Sequence, residues 1–335
     1  MPQQQHRQMP VPPPSKLGSV SRGRKAGARR FCFYGPHAVG KTTLAAHAPA
    51  PIVIDIESGS DELDVARYPF EAGAPETLAE VRAAVRDLLA NKHEYKTLVI
   101  DSADRLEALI WADICARYSG RQNEFNKRGK EITSIEQFGY GKGYSMALDE
   151  LRDLFVDLDR LRKRGMHIII VAHSMVKPFK NPEGEDYDRY VIRAHDKFAG
   201  QIAEWVDVLG YCCFEGGAGS LDDGERARGY RTGRRLIRLV HAAAYDAKSR
   251  VPMPDQVEME HGNPWGPFAA ALEVGEKADA KELLKLIQAE LERIGDDDYT
   301  QTVKDACKGV TDEARLSRYL MKVKARASAA QEGNS

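Results

Sequence analysis

The chain has 335 residues, of which 42% are hydrophobic and 30% charged, and its formal net charge is −1. That length allows one large domain with an appendage or two modest domains, and the balance excludes wholesale disorder. Near-neutral charge means that any affinity for nucleic acid must come from local clusters. No apolar run approaches the ~20 residues of a membrane span, and the first residues lack the apolar core of a secretory leader. The chain therefore reads as soluble and intracellular, with no membrane partner.

Residues 1–29 hold Gln and Pro clusters followed by SRGRKAGARR, and residues 1–30 carry seven Lys/Arg without any Asp/Glu. This is expected to be a disordered basic arm, either a solvated tail or a segment that touches nucleic acid. From residue 30, short β-branched runs alternate with helical patterns. The expected strands are 30–34, 51–56, 97–101, 167–172, 206–214 and 235–243, and the expected helices lie near 41–48, 76–91, 103–119 and 143–164. In the last of these, Leu148, Leu151, Phe155, Leu158 and Leu161 recur at helical spacing. Nearly continuous apolar strands alternating with helices predict an α/β fold. A mainly parallel central sheet is covered on both faces, with an edge that turns antiparallel late in the chain.

Two polar stretches, 174–200 and 215–234, interrupt the pattern and read as long loops, which are usually functional or disordered. Beyond the core at 30–275, residues 276–328 form two or three helices, expected as a small helical appendage before a polar tail at 329–335. Five cysteines (Cys32, Cys115, Cys212, Cys213, Cys307) show no paired spacing and read as buried thiols, not as a zinc site.

The segment Gly35-Pro36-His37-Ala38-Val39-Gly40-Lys41-Thr42 fits G-x-x-x-x-G-K-[ST], between an expected strand and helix. Such a loop curls so that successive N–H groups, continuing to Thr43, face phosphate oxygens, and the following helix adds its positive end. Lys41 brings a point charge to the β/γ-phosphates, and Thr42 a hydroxyl to Mg²⁺. The run TLVID delivers Asp101 to the carboxyl edge of the sheet, expected on a neighbouring strand as the second magnesium carboxylate. The alternative is that Asp101 only begins a turn, with Ser102 and Asp104 capping the next helix. Asp101 is followed by serine, so the residue that activates water is sought elsewhere. Glu57, just past PIVIDI, is the candidate, with Asp55 its competitor and a plain surface acid the alternative. His173, at the end of HIIIVAHS, is placed to sense the γ-phosphate or is simply packed.

This ordered set resembles the RecA-like ATPase core, and more narrowly the phage-encoded RecA-like proteins of the Sak-four type in single-strand annealing and recombination. The matching segments include YGPHAVGKTTLAAHAPAPIVIDIESGSDELDVARYP, HEYKTLVIDSADRLEALIWADICARY, GYGKGYSMALDELRDLFVDLDRLRKRGMHIIIVAHS, EWVDVLGYCC and YDAKSRVPMP, spanning most of 30–255. The resemblance implies ATP with Mg²⁺, and a filament or ring with the nucleotide between subunits in a bacterial host's cytoplasm. It also implies single-stranded DNA on the loops after the fourth and fifth strands, with a single-strand DNA-binding protein as a further partner. Lys248 or Arg250 in AKSRVP would then reach a neighbour's γ-phosphate. Pro36 and His37 stand where many relatives carry a second glycine, and the C-terminal helices have no counterpart.

The two polar stretches have the composition that single-strand binders use, cations interleaved with aromatic platforms. The first holds Lys177, Phe179, Lys180, Arg189, Arg193 and Lys197, together with Tyr187, Tyr190 and Phe198. The second holds Arg226, Arg228, Tyr230, Arg231 and Arg234. Glu183, Glu185, Asp222 and Asp223 dilute the charge, so a solvated face is the plainer alternative. The competing function is a nucleotide-responsive module with little turnover that recruits a replication or recombination partner.

Overall fold

The structure is a computed structural model. It describes residues 27–123, 126–182, 184–219, 228–277 and 280–311, with parts of 315–326 beyond them. The basic arm, its residues 1–26, and Arg226 lie outside the described residues.

Ten strands lie among the described residues: β1 (Arg30–Gly35), β2 (Pro51–Asp55), β3 (Ala66–Arg67), β4 (Thr97–Asp101), β5 (His167–Phe179), β6 (Tyr187–Ile192), β7 (Val208–Gly219), β8 (Arg228–Arg238), β9 (Lys248–Ser249) and β10 (Gln256–Glu258). The helices are α1 (Lys41–Ala46), α2 (Leu78–Ala90), α3 (Ala103–Tyr118), α4 (Lys142–Lys163), α5 (Asp196–Trp205), α6 (Trp265–Lys277), α7 (Ala280–Ile294) and α8 (Asp297–Cys307). The sheet runs β10-β8-β7-β1-β5-β4-β2-β3, with β6 added to β5 and β9 to β7. The run from β7 through β1, β5, β4 and β2 to β3 is parallel, whereas β8, β9 and β10 pair antiparallel. The mainly parallel α/β architecture with an antiparallel edge is thus the one the sequence pattern predicts.

Both faces of the central strands are buried, so their residues divide by parity. Cys32, Tyr34, Ile54, Ile100 and Ile170 join one core with Val81, Leu106, Ile110, Leu151, Leu154 and Leu158 of α2, α3 and α4. Phe31, Phe33, Val53, Val99 and Ile169 join the other with Leu44 of α1 and Phe268 and Leu272 of α6. On α4, Leu151, Leu154, Leu158 and Leu161 are buried while Leu148 packs part-buried at the margin. Each fully buried side chain contributes about 1.5–3 kcal/mol. A separate small core, Leu283, Ile287, Leu291, Val303 and Cys307, holds α7 against α8.

The expectation of two long loops is corrected. β5 continues past its buried half, and Ser174–Phe179 pairs antiparallel with β6, Ser174 opposite Ile192 and Phe179 opposite Tyr187. Residues 196–205 form α5, whose Phe198 and Ile202 enter the core. In the second stretch β7 and β8 continue as a hairpin, with Gly219 opposite Arg228. No helix among the described residues is long and apolar enough to cross a membrane. All five cysteines are free, four of them buried.

Candidate active site

β1 ends against β5 and β7, and its last residue, Gly35, stands in register with His173. Gly35 must lack a side chain because of a close approach: an added Cβ would lie 2.1 Å from the carbonyl oxygen of Cys212 on β7. The loop then turns through Ala38 (φ 59°) and Gly40 (φ 97°), the left-handed region in which glycine is at least cost. α1 follows immediately at Lys41, and Leu44 N donates back to Gly40 O at 2.8 Å. Lys41 is buried, and its Nζ donates to Gly35 O at 3.1 Å and Pro36 O at 2.8 Å, so the ammonium lies inside the curl of its own loop. Burial lowers its pKa, an effect that Cys212 and Asp101 oppose.

Asp101 meets this loop from β4, but not from a neighbouring strand as the sequence reading expected: β5 lies between β4 and β1. Thr42 Oγ1 nevertheless donates to Asp101 Oδ2 at 2.6 Å. Burial pushes the Asp101 carboxyl up to about 6, with Thr42's hydrogen bond working against the rise and Glu57 and Asp55 adding to it. A hydroxyl beside a buried carboxylate, at the mouth of a loop that carries a lysine, is an all-oxygen donor set suited to Mg²⁺ on a nucleotide's phosphates. The residues present therefore fit both groups.

The two acids after β2 separate clearly. Asp55 is buried and accepts from Gly59 N, Ser60 N and Ser60 Oγ, so it shapes the turn. Glu57 stands at the rim, accepts from Ser102 Oγ at 2.6 Å, and lies 3.6 Å from both Arg105 Nε and His173 Nδ1. Ser102 occupies the cap position of α3 but makes no capping bond; its hydroxyl is shared between Glu57 and Asp104, the latter at 2.8 Å.

Asp104 is the hub that sequence reasoning treated only as a helix cap. Its carboxylate also accepts from His173 Nδ1 at 3.1 Å and from Arg193 at 2.9 Å. Burial acts against the charge, but hydrogen bonds from His173 and Ser102 and the charges of His173 and Arg193 hold this carboxyl well below the usual range. The ring of His37 packs 4.2 Å from that of His173, which lowers the pKa of His37. Glu57, Asp104 and His173 bring ligand atoms within 4.8 Å of one another, and hydrogen bonds through Ser102 and Asp104 connect them and continue to Arg193. The signal available in the sequence was the i, i+3 spacing of Asp101 and Asp104; nothing local pointed to Arg193, 89 residues away.

The other predicted residues lie elsewhere. Lys248 and Arg250 sit at the opposite edge of the sheet, where Lys248 Nζ donates to Glu204 O at 3.1 Å and Arg250 pairs with Asp207 at 3.2 Å. On the first hairpin, Lys177 pairs with Asp196, Phe179 packs 5.1 Å from Tyr187 and Lys180 is exposed, as is Lys197 at the start of α5. Arg189 is buried, lying over Phe179 and paired with Asp246 at 2.5 Å, and Phe198 is in the core. Arg189 ties the hairpin to Asp246, and neither side chain faces solvent. On the second hairpin Arg234 pairs with Glu258 at 2.5 Å and Glu215 at 3.3 Å. Arg228, Tyr230 and Arg231 face Gly219, Gly217 and Gly216 of β7 in register.

No curated protein matches the chain. The family model described as an AAA domain matches residues 28–251, from just before β1 to just past β9. The match contains the phosphate loop, both acid-bearing strands and His173, and the chain belongs to this AAA family of P-loop ATPase domains.

Proposed function

We propose that this chain is an ATP-hydrolysing RecA-like protein of the phage Sak-four type that acts on single-stranded DNA in recombination, annealing or replication, in the host cytoplasm. The observation that carries the reading is the convergence at one edge of the sheet of Lys41 and Thr42, which open α1, with Asp101 at the end of β4, Glu57 just past β2 and His173 in β5 opposite Gly35. The loop from Gly35 to Thr43 cradles the phosphates, and Thr42 with Asp101 holds Mg²⁺, which when bound neutralises charge on the transferring phosphoryl group. Glu57 orients the attacking water and takes its proton. One of its oxygens is fixed by Ser102, and the other is left for the water.

His173 reads the γ-phosphate beside Glu57, and Asp104 holds the imidazole in place. Because Asp104 also grips Arg193 at the end of β6, a change at the phosphate is felt by the β5–β6 hairpin. Lys177, Phe179, Lys180 and Lys197 on and beside that hairpin, and the arginines and Tyr230 of the β7–β8 hairpin, supply cations and stacking faces to a single strand. Copies assemble as a ring or filament, in which Lys248 or Arg250 serves a neighbour's nucleotide after releasing Glu204 and Asp207. A single-strand DNA-binding protein is a further partner.

Phosphate release with and without single-stranded DNA tests this. Stimulation that disappears in Glu57→Gln and Lys41→Ala supports it. Equal DNA affinity with and without ATP, and no stimulation, favours the second reading: a nucleotide-responsive module that recruits another protein with little turnover. The relay through Asp104 to Arg193 serves that reading too, since it needs binding alone.

A further inference from the structure

Arg235 belongs to none of the motifs above, yet it touches the phosphate loop. It stands on β8 opposite Phe214, and its carbonyl oxygen accepts from Met259 N at 2.8 Å. Its half-buried side chain reaches back to Gly40, where an added Cβ would lie 2.6 Å from Nη1 and 3.6 Å from Cζ. Met259 borders the same place, its Cε 3.5 Å from that position.

The neighbouring Arg234 is matched by Glu215 and Glu258, but Arg235 makes no side-chain hydrogen bond or ion pair among the described residues. A guanidinium that has surrendered part of its hydration, against the glycine that precedes Lys41 and with no acid paired to it among the described residues, is unfavourable by itself. Its planar array of donors matches the oxygens of a phosphate.

Topology decides which phosphate. Glu57, Asp101 and His173 come from β2, β4 and β5, all on one flank of β1, and mark the end where a bond would be cut. β8 lies beyond β7 on the other flank, so Arg235 addresses the far end of the phosphate chain. We infer that Arg235 is a ligand, acting within its own chain, for the phosphate nearest the nucleoside. This rests on the nucleotide-binding reading of the loop. Such a contact is made equally before and during reaction, so it sets affinity and not the chemical step.

The test is calorimetric titration of the full chain with ADP and with inorganic tripolyphosphate, for the wild type, Arg235→Ala and Arg235→Lys. Arg235→Ala is expected to weaken both by about 10- to 100-fold, the worth of one charge-assisted hydrogen bond, and Arg235→Lys to recover part of it. Arg235→Gln replaces the alanine variant if that one does not fold. Binding of both probes within twofold of wild type overturns the inference. So does a loss confined to ADP, which would put the side chain on the base or sugar. If the wild type itself takes up neither probe, it is the nucleotide reading that has failed.

Discussion

Asp104→Ala gives a loss whose parts can be worked out. The carboxylate is 9% exposed and accepts from three donors: Ser102 at 2.8 Å, Arg193 at 2.9 Å and His173 at 3.1 Å. Removing it orphans them unequally. Ser102 still has Glu57 at 2.6 Å, and Arg193, 44% exposed, turns to water. His173, 11% exposed, retains only Glu57 Oε1 at 3.6 Å. The cost is therefore one buried unsatisfied polar group, about 1–3 kcal/mol, plus up to about 1 kcal/mol for the half-exposed ion pair. The sum is about 1–4 kcal/mol, or roughly 1–6 °C in Tm for a chain of 335 residues. Because the folded Asp104 is held below its unfolded value near 3.9, its contribution is complete above that pH and fades as acid protonates the folded form. Urea unfolding of the two proteins should show the full gap at pH 7 and a narrowing gap below about pH 4. A variant within about 0.5 kcal/mol of wild type at pH 7, the range of ordinary surface changes, would refute the hub.

Glu57→Gln keeps an oxygen for Ser102 but loses the base, so phosphate release should fall by about 10²- to 10⁴-fold while ATP affinity stays within about threefold; turnover within tenfold of wild type contradicts the role. Gly35→Ala places a Cβ 2.1 Å from Cys212 O, which forces β1 and β7 apart and should cost about 1–3 kcal/mol or more in urea unfolding. An unchanged midpoint would show that the approach of those strands is not as close as described. Glu107 is buried beside the His195 amide, and burial pushes its carboxyl up to about 7. Its folded pKa thus exceeds the unfolded one, so between about pH 4.5 and 7 wild-type stability should fall with rising pH, by at most about 1.4 kcal/mol per unit. Glu107→Gln should remove that slope, and parallel stability curves across this range would contradict it.

What the sequence made legible was the part encoded in short, local patterns. RFCFYG, PIVID and TLVID are apolar runs that stop at a glycine or an acid, and they became β1, β2 and β4 with Gly35, Asp55 and Asp101 at their ends. The outer half of β5 was missed because its burial lapses. Ser174 to Phe179 alternate half-buried and exposed residues around Pro178, a composition shared with loops, and only pairing with β6 makes it a strand. The side-chain partners of Asp104, Arg189 and Arg250 were equally hidden, since they join positions 43 to 89 residues apart whose proximity follows from strand order. Arg189 illustrates the cost: among lysines and aromatics it read as a DNA contact, whereas Asp246 and Phe179 draw it inward.

Every proposed role of this chain depends on the curled loop at Gly35–Thr42 taking a nucleotide with magnesium. Titrating the full chain with ATP and Mg²⁺, beside Lys41→Ala, tests it most directly. Saturable binding at one site, weakened at least tenfold in Lys41→Ala while that variant's unfolding midpoint stays near wild type, is the predicted result. A wild-type chain that takes up no ATP, or takes it up as well without Lys41, contradicts it.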